Sequence, residues 1–247
     1  MTPLIRSETR KAFSSNAIWW LLLAGVGIVG ISTYLTVPLN DATGSALLSD
    51  DNVKTALHGG SAGSYLMAVV GVMAVAGEWR TGQASQTFLS SAQRWRIIAA
   101  KIQVYFGVGL VYGAVAASVT LAAVWGAYRA EGLTLALDRS AVWYPLLGVV
   151  VGSMLVGLLG LAIGAILRNQ IIGIVGILVW MLVIESIIYT ASETVGRWLP
   201  GIATVALAGF PDEGYLHPVM AGIVLAGTTV AALMAATWVV EKSDVTA

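Results

Sequence analysis

Long apolar stretches without a charged side chain alternate with short charged segments along this chain. Six stretches contain no Asp, Glu, Lys or Arg: 12–40, 55–77, 102–128, 140–167, 169–184 and 214–240. A run of about 20 apolar residues is long enough to cross the hydrocarbon core of a bilayer as a helix, and runs in soluble cores are usually shorter. The pattern therefore predicts an all-α, polytopic membrane protein with six transmembrane helices.

The polar residues between these stretches set the limits of the spans within a single transmembrane domain, 1–247. The predicted spans cover about 17–37, 60–77, 102–125, 141–167, 171–189 and 218–240. The polar segment Asn40–Leu57 is predicted to be an outer loop. The uncharged segment 198–211 is too short to cross, so we expect a re-entrant or outer helical segment before the last span.

The first 16 residues have the pattern of an amphipathic helix. At about 100° per residue, Ile5, Thr9 and Phe13 share one face and the arginines share the other, with Glu8 an exception on the apolar side. This pattern predicts an interfacial helix over 1–16, lying on the membrane before the first span. The alternative is a flexible basic tail.

Basic residues are unevenly divided between the two predicted sides of the membrane. Six spans place both termini on one side, and the segments on that side contain nine of the 13 Lys and Arg residues. Cytoplasmic segments of membrane proteins carry an excess of Lys and Arg. We therefore predict a multi-pass membrane protein with both termini cytoplasmic.

Composition excludes several other classes of protein. The 13 acidic and 13 basic residues give no net charge, so there is no basic field for nucleic acid. The chain has no Cys and two isolated His residues, which argues against thiol chemistry and metal sites. It also lacks a glycine-rich ATP-binding loop and the common hydrolase motifs. We predict no catalytic residue, cofactor or metal site in this chain.

Glu185 is the one carboxylate within a predicted span. Ionisable residues inside membrane spans are rare and often mark a transport pathway. A proton carrier is therefore one interpretation of Glu185. The other is a structural carboxylate that reaches the outer interface or a neighbouring helix.

The segment between spans two and three concentrates charged and hydrogen-bonding residues. It runs from Glu78 to Lys101, with Gly82 interrupting the helical pattern and Gln83–Leu89 long enough for about two helical turns. One interpretation is a basic loop that only fixes topology. The other is a short exposed helix on which another protein docks.

The order of residues in this loop resembles that of type-2 ABC exporter permeases. The matching residues are Glu78, Arg80, Gly82, Thr87, Leu89, Arg94 and Lys101. Gln83 stands where that family usually has threonine. A second similarity to the family is the turn Arg168-Asn169-Gln170 followed by Trp180, Glu185 and Pro200.

The resemblance implies a division of labour between subunits. In a bacterial cell membrane, two six-span subunits, identical or related, would surround a pathway, and two copies of a cytoplasmic ATPase subunit would bind ATP and magnesium. Gln83–Leu89 would be the coupling helix, held by Glu78, Arg80 and Arg94, and the N-terminal helix would be the elbow. Spans one, two and five would line the pathway and the dimer seam.

The leading hypothesis is the permease subunit of an ATP-driven exporter that moves a hydrophobic or amphipathic molecule outward, since the predicted pathway wall is almost entirely apolar. Arg168, Asn169, Gln170, Trp180 and Glu185 are possible pathway or structural residues. The alternatives are a stand-alone ion-coupled transporter that uses Glu185 and a non-transporting membrane assembly factor. The cargo, and the choice between a homodimer and a heterodimer, stay open.

Overall fold

A computed structural model of the chain describes residues 2–39, 42, 44–80, 82 and 94–242. These residues contain helices and no β-strand. Short 3-10 turns at Gly44–Leu48 and Gly59–Ser61 and a π-helical segment at Trp180–Ile184 join some of the α-helices. The α-helices are α1 Thr2–Ser14, α2 Asn16–Thr36, α3 Asp50–His58, α4 Ala62–Arg80, α5 Arg94–Ala130, α6 Ser140–Leu167, α7 Gln170–Val179, α8 Glu185–Ala191, α9 Glu193–Gly196, α10 Pro200–Leu207 and α11 Pro218–Lys242.

Six helical stretches among the described residues are long and apolar enough to cross a membrane. They are Asn16–Thr36, Asp50–Arg80, Trp95–Ala130, Ser140–Leu167, Gln170–Ala191 and Pro218–Lys242. This confirms the prediction of an all-helical chain with six such helices and indicates a multi-pass membrane protein. The helix α5 is longer than its predicted span, because its 37 residues extend about 55 Å at 1.5 Å per residue.

The predicted outer loop Asn40–Leu57 is wrong in its described part, which is largely helical. Ser49 caps α3, since its hydroxyl accepts a hydrogen bond from the backbone N–H of Asn52 at 3.4 Å. Asp50 and Asp51 fall in the first turn of α3, where carboxylates favour the positive end of the helix dipole. The polar residues that suggested a loop are therefore helix-start signals, and the helical stretch begins well before residue 60.

Helices α4 and α6 form the centre of the bundle. In the apolar section of each span that contains them, 72% of the residues are buried within the chain, whereas the share is 22% in spans one, five and six. Small residues make this contact possible: a Cβ added at Gly71 would collide with the carbonyl of Gly157, and one at Gly160 with that of Ala68. Close backbone contact of this kind is the usual basis of helix association in lipid.

The predicted interfacial segment 1–16 contains helix α1, Thr2–Ser14. Ala12 is buried against the bundle, whereas Arg6 and Arg10 are exposed. The indole N–H of Trp19 in α2 donates to the carbonyl of Phe13 at 3.1 Å, which ties the end of α1 to the start of α2. Its position on a membrane surface stays a prediction.

The uncharged segment 198–211 forms the short helix α10, with Pro200 in its first turn where a proline is well tolerated. Eight residues rise only about 12 Å, so α10 does not cross a bilayer. Its residues Ile202, Ala203 and Thr204 are buried. The helical character predicted for this segment is therefore confirmed.

Helix α1 and the end of helix α11 lie at the same end of the bundle. Glu8 of α1 forms an ion pair with Lys101 at the start of the third span. At the other end of the chain, the carbonyl of Val239 in α11 accepts a hydrogen bond from Arg168, whose guanidinium stacks on Trp79 next to Glu78. The six long helices of the described residues, an even number, account for this arrangement.

Candidate functional site

Lys101 is the centre of a buried charged cluster at the end of the bundle that carries the termini. Its residue surface is 1% exposed. The ammonium group donates to Glu8 Oε2 at 2.5 Å, to Glu78 Oε1 at 2.8 Å and to the carbonyl of Ala74 at 3.1 Å. A lysine ammonium has three donors, so these acceptors satisfy all of them.

Lys11 is the second cation of the cluster and bonds the same two carboxylates. Its ammonium lies 2.9 Å from Glu8 Oε1 and 2.9 Å from Glu78 Oε1. Partial burial acts to lower the pKa of Lys11, but the hydrogen bonds and charges of Glu8 and Glu78 outweigh it and raise that pKa above its ordinary value. Two lysines and two glutamates balance one another, which is the condition for holding charges in a buried place.

The helix geometry explains why these residues converge. Ala74 and Glu78 are four residues apart on α4, so both face Lys101 from one side of that helix. Glu8 is the residue that breaks the amphipathic pattern of α1, and it lies on the face that packs on the bundle. The acid on the apolar face is therefore explained by its ion pair with Lys101.

A cavity of about 190 Å³ lies beside the cluster and is bordered by all four of its charged residues. Arg80, Ser15, Tyr105 and Gln170 also border it. The Oε1 atom of Gln170 is buried and has no hydrogen-bond partner in the part of the chain that the structure describes. A polar space of this size can hold water. No group of three metal-ligating side chains occurs among the described residues.

The turn between spans four and five joins this end of the bundle to two other spans. The guanidinium of Arg168 lies 4.9 Å from the ring centroid of Trp79, and its Nη2 donates to the carbonyl of Val239 at 3.2 Å. Arg168 ends α6 with a left-handed φ of 52°. Asn169 caps α7 by accepting from the N–H of Ile172 at 3.1 Å.

The residues predicted to couple to an ATPase are divided between the described and undescribed parts of the chain. Gly82 has a left-handed φ of 70°, which suits a glycine ending the helical run. Arg80 is exposed at the end of α4. Gln83, Thr87 and Leu89, and with them the predicted coupling helix 83–89, lie outside the described residues. Arg94 begins α5, but its side chain also lies outside them.

Glu185 lies far from this cluster, near the opposite end of the fifth span. It is fully buried, and its Oε2 accepts hydrogen bonds from the backbone N–H groups of Gly201 at 2.6 Å and Ile202 at 3.1 Å. The carboxylate therefore caps the first turn of α10 and ties it to the fifth span. The structural interpretation of Glu185 accounts for these bonds.

The five residues grouped by sequence as pathway or structural residues do not form one site. Arg168, Asn169 and Gln170 lie beside the charged cluster, whereas Glu185 lies by α10. Trp180 begins the π-helical segment and borders an apolar cavity of about 310 Å³ that Pro200 also borders. The sequence grouping therefore combined two ends of one span.

Two members of the charged cluster were missed as site residues by the sequence reasoning. Lys11 was counted only among the nine basic residues on the side of the termini, and Glu8 was noted only as an exception in a helical pattern. The misplaced charge of Glu8 was the signal, because an acid on an apolar helix face requires a buried partner. The sequence did not show which lysine would supply it.

Comparison with known proteins adds no family to this description. No model of a known protein family matches the chain, and no curated protein matches it significantly.

Proposed function

We propose that this chain is the membrane-spanning subunit of an ATP-driven exporter of the type-2 ABC class, with its ATPase on a separate cytoplasmic subunit. In this proposal two permease subunits form the pathway, the end of the bundle with the termini is cytoplasmic, and segment 83–89 is the coupling helix. The cargo is a hydrophobic or amphipathic molecule, such as a drug, an antibiotic or a lipid, carried outward across a bacterial cell membrane.

The observation that supports the proposal most is the ion pair that bridges the flanks of segment 81–93. Glu78 lies three residues before that segment and Lys101 eight residues after it, and their charged atoms are 2.8 Å apart. Glu8 joins α1 to the same lysine. Buried ion pairs resist separation, because leaving either charge buried without its partner costs several kcal/mol of free energy. Force applied to the segment would therefore move α1, α4 and α5 together.

A mechanism for the proposed exporter follows from these ties. ATP-driven closure of the two ATPase subunits would displace segment 83–89, and the cluster would pass the displacement to the spans. Arg168 contacts Trp79 and Val239, so the displacement would also reach the turn between spans four and five and the last span. This chain would thus form the transport pathway and transmit the movement, and the partner subunit would hydrolyse ATP.

Reconstitution tests this function. The chain is purified from its native membrane together with any ATPase subunit that it recruits and is inserted into liposomes. Export of a fluorescent lipid-like cargo is then measured with ATP and with a proton gradient. We expect export that requires ATP and an intact ATPase. Export driven by the proton gradient without an ATPase, or no recruitment of an ATPase, would contradict the proposal.

Charge reversal at Arg80 tests the coupling step without removing a member of the ion pairs in the charged cluster. Arg80 is exposed, whereas reversal of Glu78 would also break the ion pairs of Lys101 and Lys11. We expect Arg80→Glu to lower cargo-stimulated ATP hydrolysis and export together. Arg129→Glu is the matched control, since Arg129 is an exposed arginine at the opposite end of the bundle. Its guanidinium carbon lies 4.1 Å from the ring centroid of Trp125.

A stand-alone ion-coupled transporter is the second candidate, and one observation favours it. The Oε1 atom of Glu185 is buried and accepts no backbone hydrogen bond from the residues that the structure describes, although the Trp180 side chain bonds this carboxyl group. Such an atom inside a span is a possible place for a proton. Glu185→Gln would abolish proton-driven export in that case, whereas ATP-driven export would persist because the amide oxygen still accepts from Gly201 and Ile202.

A further inference from the structure

An apolar groove runs along the outside of the bundle between α1, α2 and α5. Its volume is about 520 Å³. Aliphatic and aromatic side chains form most of the wall. Of its polar side chains, Gln103 is exposed, and Thr9, Tyr112 and Trp19 donate to backbone carbonyls, Thr9 to that of Ile5 at 2.8 Å. The Tyr112 hydroxyl donates to the carbonyl of Gly63 at 3.1 Å, and the Trp19 indole donates to that of Phe13 at 3.1 Å. The groove therefore suits a hydrocarbon rather than a polar ligand.

The length of the groove matches one leaflet of a bilayer. On α5 it extends from Gln103 to Val115, which is about 18 Å at 1.5 Å per residue. Half of the hydrocarbon core of a bilayer is about 15 Å thick. On α2 it extends from Trp19 only as far as Val26. The groove thus begins at α1 and ends near the middle of the membrane.

Exposed arginines flank the end of the groove that lies at α1. Arg6 and Arg10 directly follow the groove residues Ile5 and Thr9 on that helix. Arg96 precedes Gln103 by seven residues, or two helical turns, so it lies on the same face of α5 and is exposed. Their positive charge favours an anionic group at this depth, where phospholipid headgroups lie.

The neighbouring acidic residue does not cancel this charge. Glu8 is buried and bonds Lys101 and Lys11. The three arginines therefore present positive charge to the membrane surface, while the groove beneath them presents apolar surface to the acyl region. A phospholipid with an anionic headgroup complements both features, because its headgroup is negative and its acyl chains are apolar.

We propose that this groove binds one acyl chain of an anionic phospholipid, whose headgroup lies against Arg6, Arg10 and Arg96. The lipid belongs to the leaflet on which α1 lies. A second copy of the chain fits less well, because a spanning helix would extend beyond a groove of one-leaflet length and would bring charged arginines into an interface at a desolvation cost. The proposal holds whether or not the chain works with an ATPase.

Glycines on α5 supply a matched pair of variants. A Cβ added at Gly107, which lines the groove, would meet nothing within 4 Å, so Gly107→Leu places four carbons in the groove without a clash from its Cβ. A Cβ at Gly126 also meets nothing within 4 Å, and Gly126 lies on the same helix outside the groove. Gly126→Leu therefore controls for leucine on an exposed face of α5.

Native mass spectrometry of the full chain, purified with phosphatidylglycerol and phosphatidylcholine of the same acyl chains, measures the bound lipid. We expect wild type and Gly126→Leu to retain one phosphatidylglycerol in preference to phosphatidylcholine, and Gly107→Leu to bind it roughly tenfold more weakly. Replacement of the three arginines by glutamine should remove the preference for the anionic lipid.

Three results would overturn the proposal. The first is equal retention of the two lipids by the wild-type chain. The second is undiminished phosphatidylglycerol binding by Gly107→Leu. The third is a change of oligomeric state in Gly107→Leu but not in Gly126→Leu, which would assign the groove to a second copy of the chain.

Discussion

Replacement of Lys101 by methionine is the sharpest perturbation of the charged cluster. Methionine is unbranched and of similar length, so it fills most of the space and removes the charge. Glu8 and Glu78 would then share only Lys11, which changes the cluster from neutral to a net charge of −1. The carbonyl of Ala74 would also lose the hydrogen bond that Lys101 donates.

The expected loss of stability is large because Lys101 is almost completely buried. Removal of one partner from a buried ion pair costs about 3–5 kcal/mol. Each kcal/mol shifts Tm by roughly 2–4 °C for a chain of this length, so Lys101→Met should lower Tm by roughly 6–20 °C. Lys54→Met is the control: Lys54 pairs with the exposed Asp51 at 3.4 Å, and such a pair contributes about 0–1 kcal/mol.

Thermal unfolding in detergent, followed by tryptophan fluorescence, measures both variants on the full chain. The second step of the assay combines Lys101→Met with Glu8→Gln, which restores a neutral cluster. We expect the double variant to be more stable than the sum of the single effects, with a coupling of about 1–3 kcal/mol. A Tm for Lys101→Met equal to that of Lys54→Met, or strictly additive effects in the double variant, would refute the role assigned to the cluster.

Two further predictions concern single groups. Glu185→Leu leaves the N–H groups of Gly201 and Ile202 without an acceptor and should destabilise the fold by about 1–3 kcal/mol for each. Glu185→Gln keeps an acceptor and should have a Tm close to that of the wild type. Equal Tm values for the two variants would contradict the capping role. The pKa of Lys11 is raised, so its stabilising ion pairs are fully present below the ordinary value of 10.5 and are lost as pH rises through the raised value. Proteolysis within α1 should therefore stay slow at pH 9 and increase only above pH 10.5. An increase below pH 9 would contradict the role of these ion pairs in holding α1.

The charge pattern was sufficient to predict the six spanning helices. A charged residue is costly in the hydrocarbon of a bilayer, so any spanning helix must largely lack charges, whatever the fold around it. Gly109 and Gly113 are four residues apart on α5, a spacing of small residues that favours close helix contacts in a membrane. The structure places them against Met154 and Val150 of α6, where an added Cβ would lie 2.8 Å from each Cα.

Helix α3 was not predicted, because its signals have two meanings. Ser49, Asp50 and Asp51 are common in loops, but the same residues also cap and begin helices. The choice between these outcomes depends on packing: Val53 and Leu57 of α3 are buried against the bundle, which a polar loop would not require. Tertiary contacts of this kind are not encoded in the local pattern.

The charged cluster could be predicted only in part for the same reason. Glu78 and Lys101 were recognised as belonging to one functional segment, but their mutual ion pair depends on the antiparallel packing of α4 and α5. Glu8 is 93 residues from Lys101 in the chain, so no local pattern connects them. The roles of Gln83, Thr87 and Leu89 as a coupling helix stay a prediction.

Site-directed crosslinking tests the central claim, which is that a separate ATPase docks on segment 83–89. The chain has no native cysteine, so Gln83→Cys, Thr87→Cys and the control Asp138→Cys each carry a single thiol. Asp138 is exposed and belongs to the loop between α5 and α6, at the end of the bundle away from the termini. Each variant is labelled with a photoreactive maleimide in membranes that contain the ATPase subunit. We expect a crosslinked product with the ATPase from positions 83 and 87 and none from position 138. No ATPase product from either loop position, or equal products from all three, would contradict the account.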